Sequence, residues 1–383
     1  MHLKKEKVLK VAGETLGYRS TGRTEIIGNH TDHQSGCVIA AAIDRYVTAE
    51  VVPGEDDRVT LTQDGFSEIS VDLADTQFHE EEKGTSTSLV RGVAAYLRDR
   101  GYGLRGFRAH VTSHVPPGSG ISSSAAYEVL LGKILTDLSD QGLADPVTLA
   151  LAGLFAEKEY YGKPSGLMDQ MAIANGGFTY MDFGSSDPEH PEIESLDFNP
   201  EDYGYQLCLV QTGGSHADLT HEYAAIPYEM SGIAACFGQK VLRDVRPEEF
   251  YAAVPALRSK AGDRAVLRAA HYFDENKRVQ ELRAAIKSQD MDQYLRIIRA
   301  SGHSSYELLQ NICPAGAVGD QSMAVALMLS NRILNGSGAS RVHGGGFAGT
   351  IQAYVPTDLI SDYGKEMEKV FGKGACHFVS ITS

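Results

Sequence analysis

Residues Pro116–Glu128 read PPGSGISSSAAYE, a glycine-broken turn that runs straight into three serines and contains no lysine. Before it, Phe107 to Val115 alternates apolar and polar residues in the period of a half-buried strand; after it, Ala125 to Leu138 carries apolar residues at helical spacing. The turn therefore joins a strand to a helix. Gly118 and Gly120 permit positive φ and close backbone approach. Ser122, Ser123 and Ser124 are placed to cap the first helical turn, whose free amides and dipole attract anions. Phosphate is the natural guest. A GxxxxGK[ST] loop would carry a lysine here, and a dinucleotide fold would need GxGxxG; the stretch has neither. An ordinary tight turn with an N-cap would look the same in isolation, so the rest of the chain decides.

The 383 residues, 42% hydrophobic and 22% charged, suffice for two globular domains with sizeable cores. No apolar stretch is long enough to span a bilayer, and the first residues lack the apolar core of a signal peptide, so a cytoplasmic location is expected. Cys37, Cys208, Cys236, Cys313 and Cys376 show no CxxC spacing, which fits reduced, buried thiols better than disulfides or a zinc site. A formal net charge of −15 with no basic run opposes binding to nucleic acid or an acidic membrane. A small anion held locally by amides, one or two cations and Mg²⁺ remains compatible with that charge.

The N-terminal half reads as sheet with helices. Val38–Val52 is a strand pattern, Val59–Leu73 a hairpin turning at Asp64 and Gly65, and Ser86–Arg98 a helix. Val147–Tyr161 is a further helix, with Asp145 as N-cap, Pro146 at N1 and Gly162 past its end. An acidic stretch, Gly184 to Asp202, is the expected domain connection, dividing the chain into residues 1–190 and 191–383. Beyond it come a strand at Tyr205–Thr212, helical patterns to about Leu334, and strand, helix and strand around Phe347–Val355, Leu359–Phe371 and His377–Ile381.

Three further constellations carry chemistry. GRTEIIGNHTDHQSG, Gly22 to Gly36, crowds Arg23, His30, Asp32 and His33 into a glycine-bounded segment ahead of a strand, a polar wall for a ligand. GKPSGLMDQMAIANGG, Gly162 to Gly177, sets Asp169 among Leu167, Met168, Met171 and Ile173. A carboxylate there either faces outward, steadied by the helix dipole, or meets a cation, for which Arg23 is the candidate. SRVHGGGFAGTIQAYVP, Ser340 to Pro356, contains Gly344, Gly345 and Gly346, whose bare backbone can pass close to a ligand or another loop.

These motifs, in this order, resemble those of the GHMP kinases, and within them the galactokinases. GRTEIIGNHTDHQ is similar to the sugar-binding signature, PPGSGISSSAAYE to the phosphate loop, SGLMDQ to the catalytic segment and RVHGGGFAGT to the C-terminal glycine motif. The resemblance spans nearly the whole chain. It implies a two-domain α+β fold with the site in the cleft between domains, and ATP-dependent phosphorylation of a free sugar at its anomeric hydroxyl. The expected partners are a small-molecule sugar and ATP, with no nucleic acid and no membrane, and the expected assembly is a monomer or a weak homo-oligomer.

By resemblance, Asp169 takes the catalytic position and Arg23 the arginine beside it, Asp169 acting as base or positioning the hydroxyl while Arg23 neutralises the moving phosphoryl group. Pro117, Gly118, Ser119, Gly120, Ile121, Ser122, Ser123, Ser124 and Ala125 match the nucleotide loop. Ser124 and Glu157 match the Mg²⁺ positions, although periodicity alone does not separate Glu157 from Glu159. Asn29, His30, Asp32, Gly166 and Tyr223 match sugar contacts, Tyr223 being found through SHADLTHEY with His216 and Glu222.

Two departures stand out. Galactokinases usually have Glu where this chain has Asn29, and Tyr where it has His33. A neutral amide in place of that Glu would admit a carboxylate at C6, and the HxDHQ string also resembles that of plant galacturonate kinases, so galacturonic acid is the alternative substrate. Ser86 stands at the place of the adenine-side Trp, which implies a different base pocket. Galactokinase-like sugar sensors without turnover are the alternative from another class; the intact Ser122–Ala126 run, with Arg23 and Asp169, favours the enzyme.

Overall fold

Half-buried strand patterns and capped helices set out above become elements of two units in the computed structural model, which describes residues 14–115, 120–163, 165–185, 191–213, 219–347 and 349–382. Contacts group Met1–Gly22, Arg45–Pro116 and Ser122–Ala174 into one unit, and Arg23–Asp44, Pro117–Ile121 and Asn175–Ser383 into the other. The units interleave along the chain and do not follow a single cut. Pro117, Gly118, Ser119 and His216 lie outside the described residues.

The first unit draws on β1 (Leu16–Ile27), β2 (Cys37–Pro53), β3 (Arg58–Gln63), β4 (Ile69–Asp72), α1 (Ser86–Asp99), β5 (Phe107–Ser113), α2 (Ser123–Asp137), α3 (Pro146–Phe155) and α4 (Met168–Asn175). The second half of β2 pairs antiparallel with β5, β5 runs parallel to β3, and β3 and β4 form the expected hairpin. Phe107, Ala109 and Val111 of β5 turn inward in strict alternation. Val90, Val93 and Leu97 of α1 and Val129, Leu130 and Ile134 of α2 are buried, and α1 packs against both α2 and α3. Asp145 caps α3 as its sequence predicts, accepting from the Val147 and Thr148 amides at 3.0 Å. The helix expected to run to Tyr161 instead changes at Ala156 into a π-helical turn, Ala156–Tyr161, which ends at left-handed Gly162. That turn carries Glu157.

In the second unit the first half of β2 pairs with β6 (Phe178–Asp182), and β6 with β7 (Glu192–Leu196). Strand β7 falls inside the stretch expected to be a plain connection. There follow β8 (Tyr205–Gln211), α5 (Thr220–Ala235), α6 (Pro247–Ala261), α7 (Asp263–Lys287), α8 (Met291–Ser304), α9 (Ser322–Leu334), β9 (Ala339–Val342), β10 (Thr350–Pro356), α10 (Ile360–Phe371) and β11 (Cys376–Val379). A four-stranded antiparallel sheet, β11-β8-β10-β9, buries Val210, Ile351 and Val355 against Met323 and Leu327 of α9 and Met367 of α10. A separate core joins Ile226 and Met230 of α5 to Phe250 of α6 and Tyr272 of α7.

Five free cysteines are present, but Cys236 is exposed and Cys313 and Cys376 are half-buried, so only Cys37 and Cys208 fit the expectation of buried thiols. Among the described residues no helix is long and apolar enough to cross a membrane.

Candidate active site

Motif residues gather into one cluster in each unit. In the first unit the helix α2 opens at Ser123, and the residue before it, Ser122, sits in the left-handed region at φ 59°. Its hydroxyl does not cap the helix, contrary to the sequence expectation; it donates to Asp169 Oδ2 in the first turn of α4. Left-handed backbone is costly for a residue with a Cβ, and strain of this kind concentrates where a side chain must be aimed.

Two residues on, Ser124 Oγ donates to Glu157 Oε1 at 3.3 Å, and Lys163 Nζ donates to the same oxygen at 2.5 Å. Glu157 is 3% exposed. Beneath it lie two residues that sequence alone did not single out. Gln170 Nε2 donates to Glu128 Oε2 at 2.9 Å and to Glu157 Oε2 at 3.1 Å. Glu128 and Gln170 have no exposed surface. Burial, reinforced by the Glu157 carboxylate, pushes the Glu128 carboxyl up to about 8.

The second unit holds the sugar signature. Its first half is the end of β1, where Arg23 is fixed to the phosphate turn twice: its amide donates to the Ile121 carbonyl at 3.1 Å, and Nη1 donates to the Gly120 carbonyl at 2.5 Å. Gly120 has φ +73°, and a Cβ on it would lie 3.3 Å from His343 Nδ1, so the turn needs glycine there. Asn29 is 1% exposed. Its Nδ2 donates to the Gly344 carbonyl at 2.7 Å and to Glu25 Oε1 at 3.1 Å, while Oδ1 accepts from Asn311 Nδ2 at 2.7 Å. The amide expected to be free for a sugar carboxylate is therefore already committed to the protein.

His30, at φ 59°, directs Nε2 to the Gly345 carbonyl at 3.0 Å. A carbonyl only accepts, so Nε2 carries a proton in this contact. Tyr223 on α5 donates its hydroxyl to the Gly346 carbonyl at 2.9 Å. Glu222 accepts from the Ala315 amide at 2.7 Å. The three glycines thus do admit close neighbours. A Cβ on Gly345 would lie 2.7 Å from Tyr223 Cε1, and one on Gly346 would lie 2.1 Å from the Asn311 carbonyl oxygen. Gly345→Ala is accordingly expected to displace the Tyr223 ring at an overpacking cost of about 1–3 kcal/mol, which a thermal or denaturant melt against the wild type checks.

Helix α7 is the unforeseen support of the signature. Glu275 Oε1 accepts from the Gly28 amide at 3.2 Å, His271 Nε2 donates to the Asn29 carbonyl at 2.9 Å, and Asn276 Oδ1 accepts from the Cys37 amide at 2.7 Å. Burial would raise the Glu275 pKa, but Arg278, His271, Arg341 and the Ser301 hydroxyl outweigh it and bring it to about 2. His271, wholly buried, is held down to about 4. Burial, then His30 and His271, bring His33 to about 3. A histidine, a glutamate and an asparagine spaced along a polar helix look like surface residues in a sequence, and only the loop they hold reveals them. Asp32 lies in a short 3-10 turn, Asp32–Gln34, of the same loop, and Gly166 lies in the first unit just ahead of α4.

Comparison with known proteins identifies the family. Residues 7–53 match the galactokinase galactose-binding signature, and residues 88–177 the GHMP kinases N terminal domain. The chain is 32% identical over 343 residues to the galactokinase of Actinobacillus pleuropneumoniae serotype 5b (strain L20), covering 88% of this chain and 84% of that protein. It is 30% identical over 349 residues to the galactokinase of Glaesserella parasuis serovar 5 (strain SH0165), covering 88% and 85%. Among solved structures, Lactococcus lactis galactokinase complexed with galactose superposes with a TM-score of 0.79 at 24% identity, covering 97% of this chain and 95% of that one. Methanococcus jannaschii mevalonate kinase gives 0.68 at 14% identity, covering 97% and 99%. Four ordered motifs, a two-unit α+β fold and relatives of this similarity along most of the chain lead to one conclusion: this chain belongs to the galactokinase family of GHMP kinases.

Proposed function

We propose that the protein transfers the γ-phosphoryl group of ATP to the anomeric hydroxyl of free galactose, giving galactose 1-phosphate and ADP. The observation that carries this is the Ser122–Asp169 contact, which ties the carboxylate of the catalytic segment to the first serine of the phosphate turn. Phosphoryl transfer needs an acceptor oxygen placed in line and negative charge neutralised, more than covalent help. Asp169 is assigned to the hydroxyl, as base or as positioning group, and Arg23 to the charge of the moving phosphoryl group. The amides at the start of α2, together with Pro117, Gly118, Ser119, Gly120 and Ile121, are assigned to the nucleotide phosphates. His30, Asp32, Gly166 and Tyr223 are assigned to the sugar, with Asn29 shaping that pocket through its protein contacts.

Ser124 and Glu157 would hold a Mg²⁺ ion, with Lys163 ceding the Glu157 Oε1 that it shares with Ser124. A hydroxyl and a carboxylate 3.3 Å apart are hard oxygen donors, and Mg²⁺ is ordinarily held by one or two carboxylates plus substrate phosphates. When bound it would supply charge neutralisation at the phosphates. On the family plan, residues 1–190 form the N-terminal half and 191–383 the C-terminal half of a cytoplasmic monomer or weak homo-oligomer. The net charge of −15 gives nucleic acid no purchase.

The test is sugar-dependent ADP release on galactose, galacturonate, N-acetylgalactosamine, arabinose and glucose. Galactose is expected to have the highest kcat/KM. Sugar and ATP binding without ADP release would make the protein a sensor instead, and galacturonate in first place would overturn the substrate.

A further inference from the structure

Both hydrogens of the Gln170 amide nitrogen are used, one on Glu128 Oε2 at 2.9 Å and one on Glu157 Oε2 at 3.1 Å. What remains is two buried oxygens, Glu128 Oε1 and Gln170 Oε1, neither of which has a hydrogen-bond partner among the described residues. Two acceptors cannot satisfy each other. Left as they are, an orphaned amide oxygen costs about 1–3 kcal/mol and a buried unpaired carboxylate more. A single proton removes both penalties, because a carboxylic acid facing a carboxamide closes a ring in which N–H meets one carboxyl oxygen and O–H meets the amide oxygen.

Helix α3 shuts the pair in. A Cβ on Gly153 would lie 3.0 Å from Gln170 Cγ and 3.1 Å from both Glu128 Cβ and Glu128 Oε2, so the backbone passes directly over it. We propose that Glu128 is a neutral carboxylic acid that donates its proton to Gln170 Oε1, and that this acid–amide pair is the positioning element for Glu157 and for the helix start bearing Asp169. Gln170 is the residue next to Asp169, and its amide nitrogen is what orients the second oxygen of Glu157. A neutral Glu128 also spares the cluster a third negative charge beside a site that must accept a triphosphate. The proposal rests on the kinase function above for its catalytic part only.

Its test compares the wild type with Glu128→Gln and Glu128→Leu. An amide in place of the acid still offers an N–H to Gln170 Oε1 and a carbonyl to Gln170 Nε2, so Glu128→Gln should keep kcat within about threefold. Glu128→Leu strands the Gln170 amide and should lower kcat about 100-fold while the sugar KM stays within about threefold, the pattern of a misplaced reacting group. Infrared difference spectra of wild type against Glu128→Gln at neutral pH give a readout independent of turnover, and of whether the Leu variant folds. The wild type should show the carbonyl stretch of a neutral carboxylic acid that the variant lacks. Absence of that band, or a Glu128→Gln enzyme as impaired as Glu128→Leu, overturns the neutral acid. A Glu128→Leu enzyme with wild-type kcat overturns the positioning role. A wild type inactive on every sugar defeats the kinase function while leaving the infrared result intact.

Discussion

Asp169→Asn is expected to lower kcat by about 10³-fold or more while leaving ATP affinity within about threefold, because the loss falls on the transition state and not on ground-state binding. The substitution is nearly isosteric. Asn keeps an oxygen for the Ser122 hydroxyl, which donates to Asp169 Oδ2, so the serine turn has no reason to move. The stability cost should be small by comparison: removing a first-turn carboxylate from α4 forfeits about 0.3–1 kcal/mol of helix-dipole interaction. A collapse in activity with an almost unchanged melting temperature therefore separates the catalytic role from a structural one. Single-turnover rates and titration with a fluorescent ATP analogue make the comparison, and a variant that retains near-normal turnover removes Asp169 from the mechanism.

The contrast between Asp169 and its surroundings shows what a sequence displays and what it hides. Asp169 stands out because a charge among Leu167, Met168 and Met171 breaks an apolar run, and glycine turns stand out because few residues tolerate positive φ. Strand β5, helix α2 and the capped start of α3 announce themselves by period and cap. The end of β1 does not. Its buried residues include Thr24 and Glu25, which hydropathy takes for surface, and their partners are more than 300 positions away: Gln352 Nε2 on Thr24 Oγ1 at 2.7 Å, and Arg341 Nη2 on Glu25 Oε1 at 2.9 Å. Short β9, which supplies Arg341, is missed for the same reason. The π-helical turn under Glu157 leaves no composition signal, since Ala156–Tyr161 reads as ordinary helix. Ser122 was legible as polar, but its strained φ and its turn toward Asp169 are properties of the folded backbone.

The same distinction changes what Asn29 should do. Read as a free amide at the sugar, it would be a specificity switch, and Asn29→Glu would simply favour galactose over galacturonate. In the folded chain it is a clip with its Nδ2 on Gly344 and Glu25, its Oδ1 on Asn311 and its carbonyl on His271. Glutamate is one methylene longer and offers only acceptors where the Gly344 carbonyl and the Glu25 carboxylate need a donor. Arg341 already neutralises Glu25 and has no second charge to give. An unpaired carboxylate buried in this way costs about 3–5 kcal/mol, far more than the 1 kcal/mol or so of a lost sugar contact. Asn29→Glu is therefore expected to lower the melting temperature by roughly 5–10 °C and to weaken use of galactose and galacturonate alike. Asn29→Asp, which adds the charge without the bulk, should reproduce most of the drop. The double substitution Glu25→Gln, Asn29→Glu restores a donor facing an acceptor and should recover most of it, because the pair is coupled. If Asn29→Glu melts like the wild type and shifts only the galactose to galacturonate ratio, Asn29 is the switch after all, and the buried clip does not hold in solution.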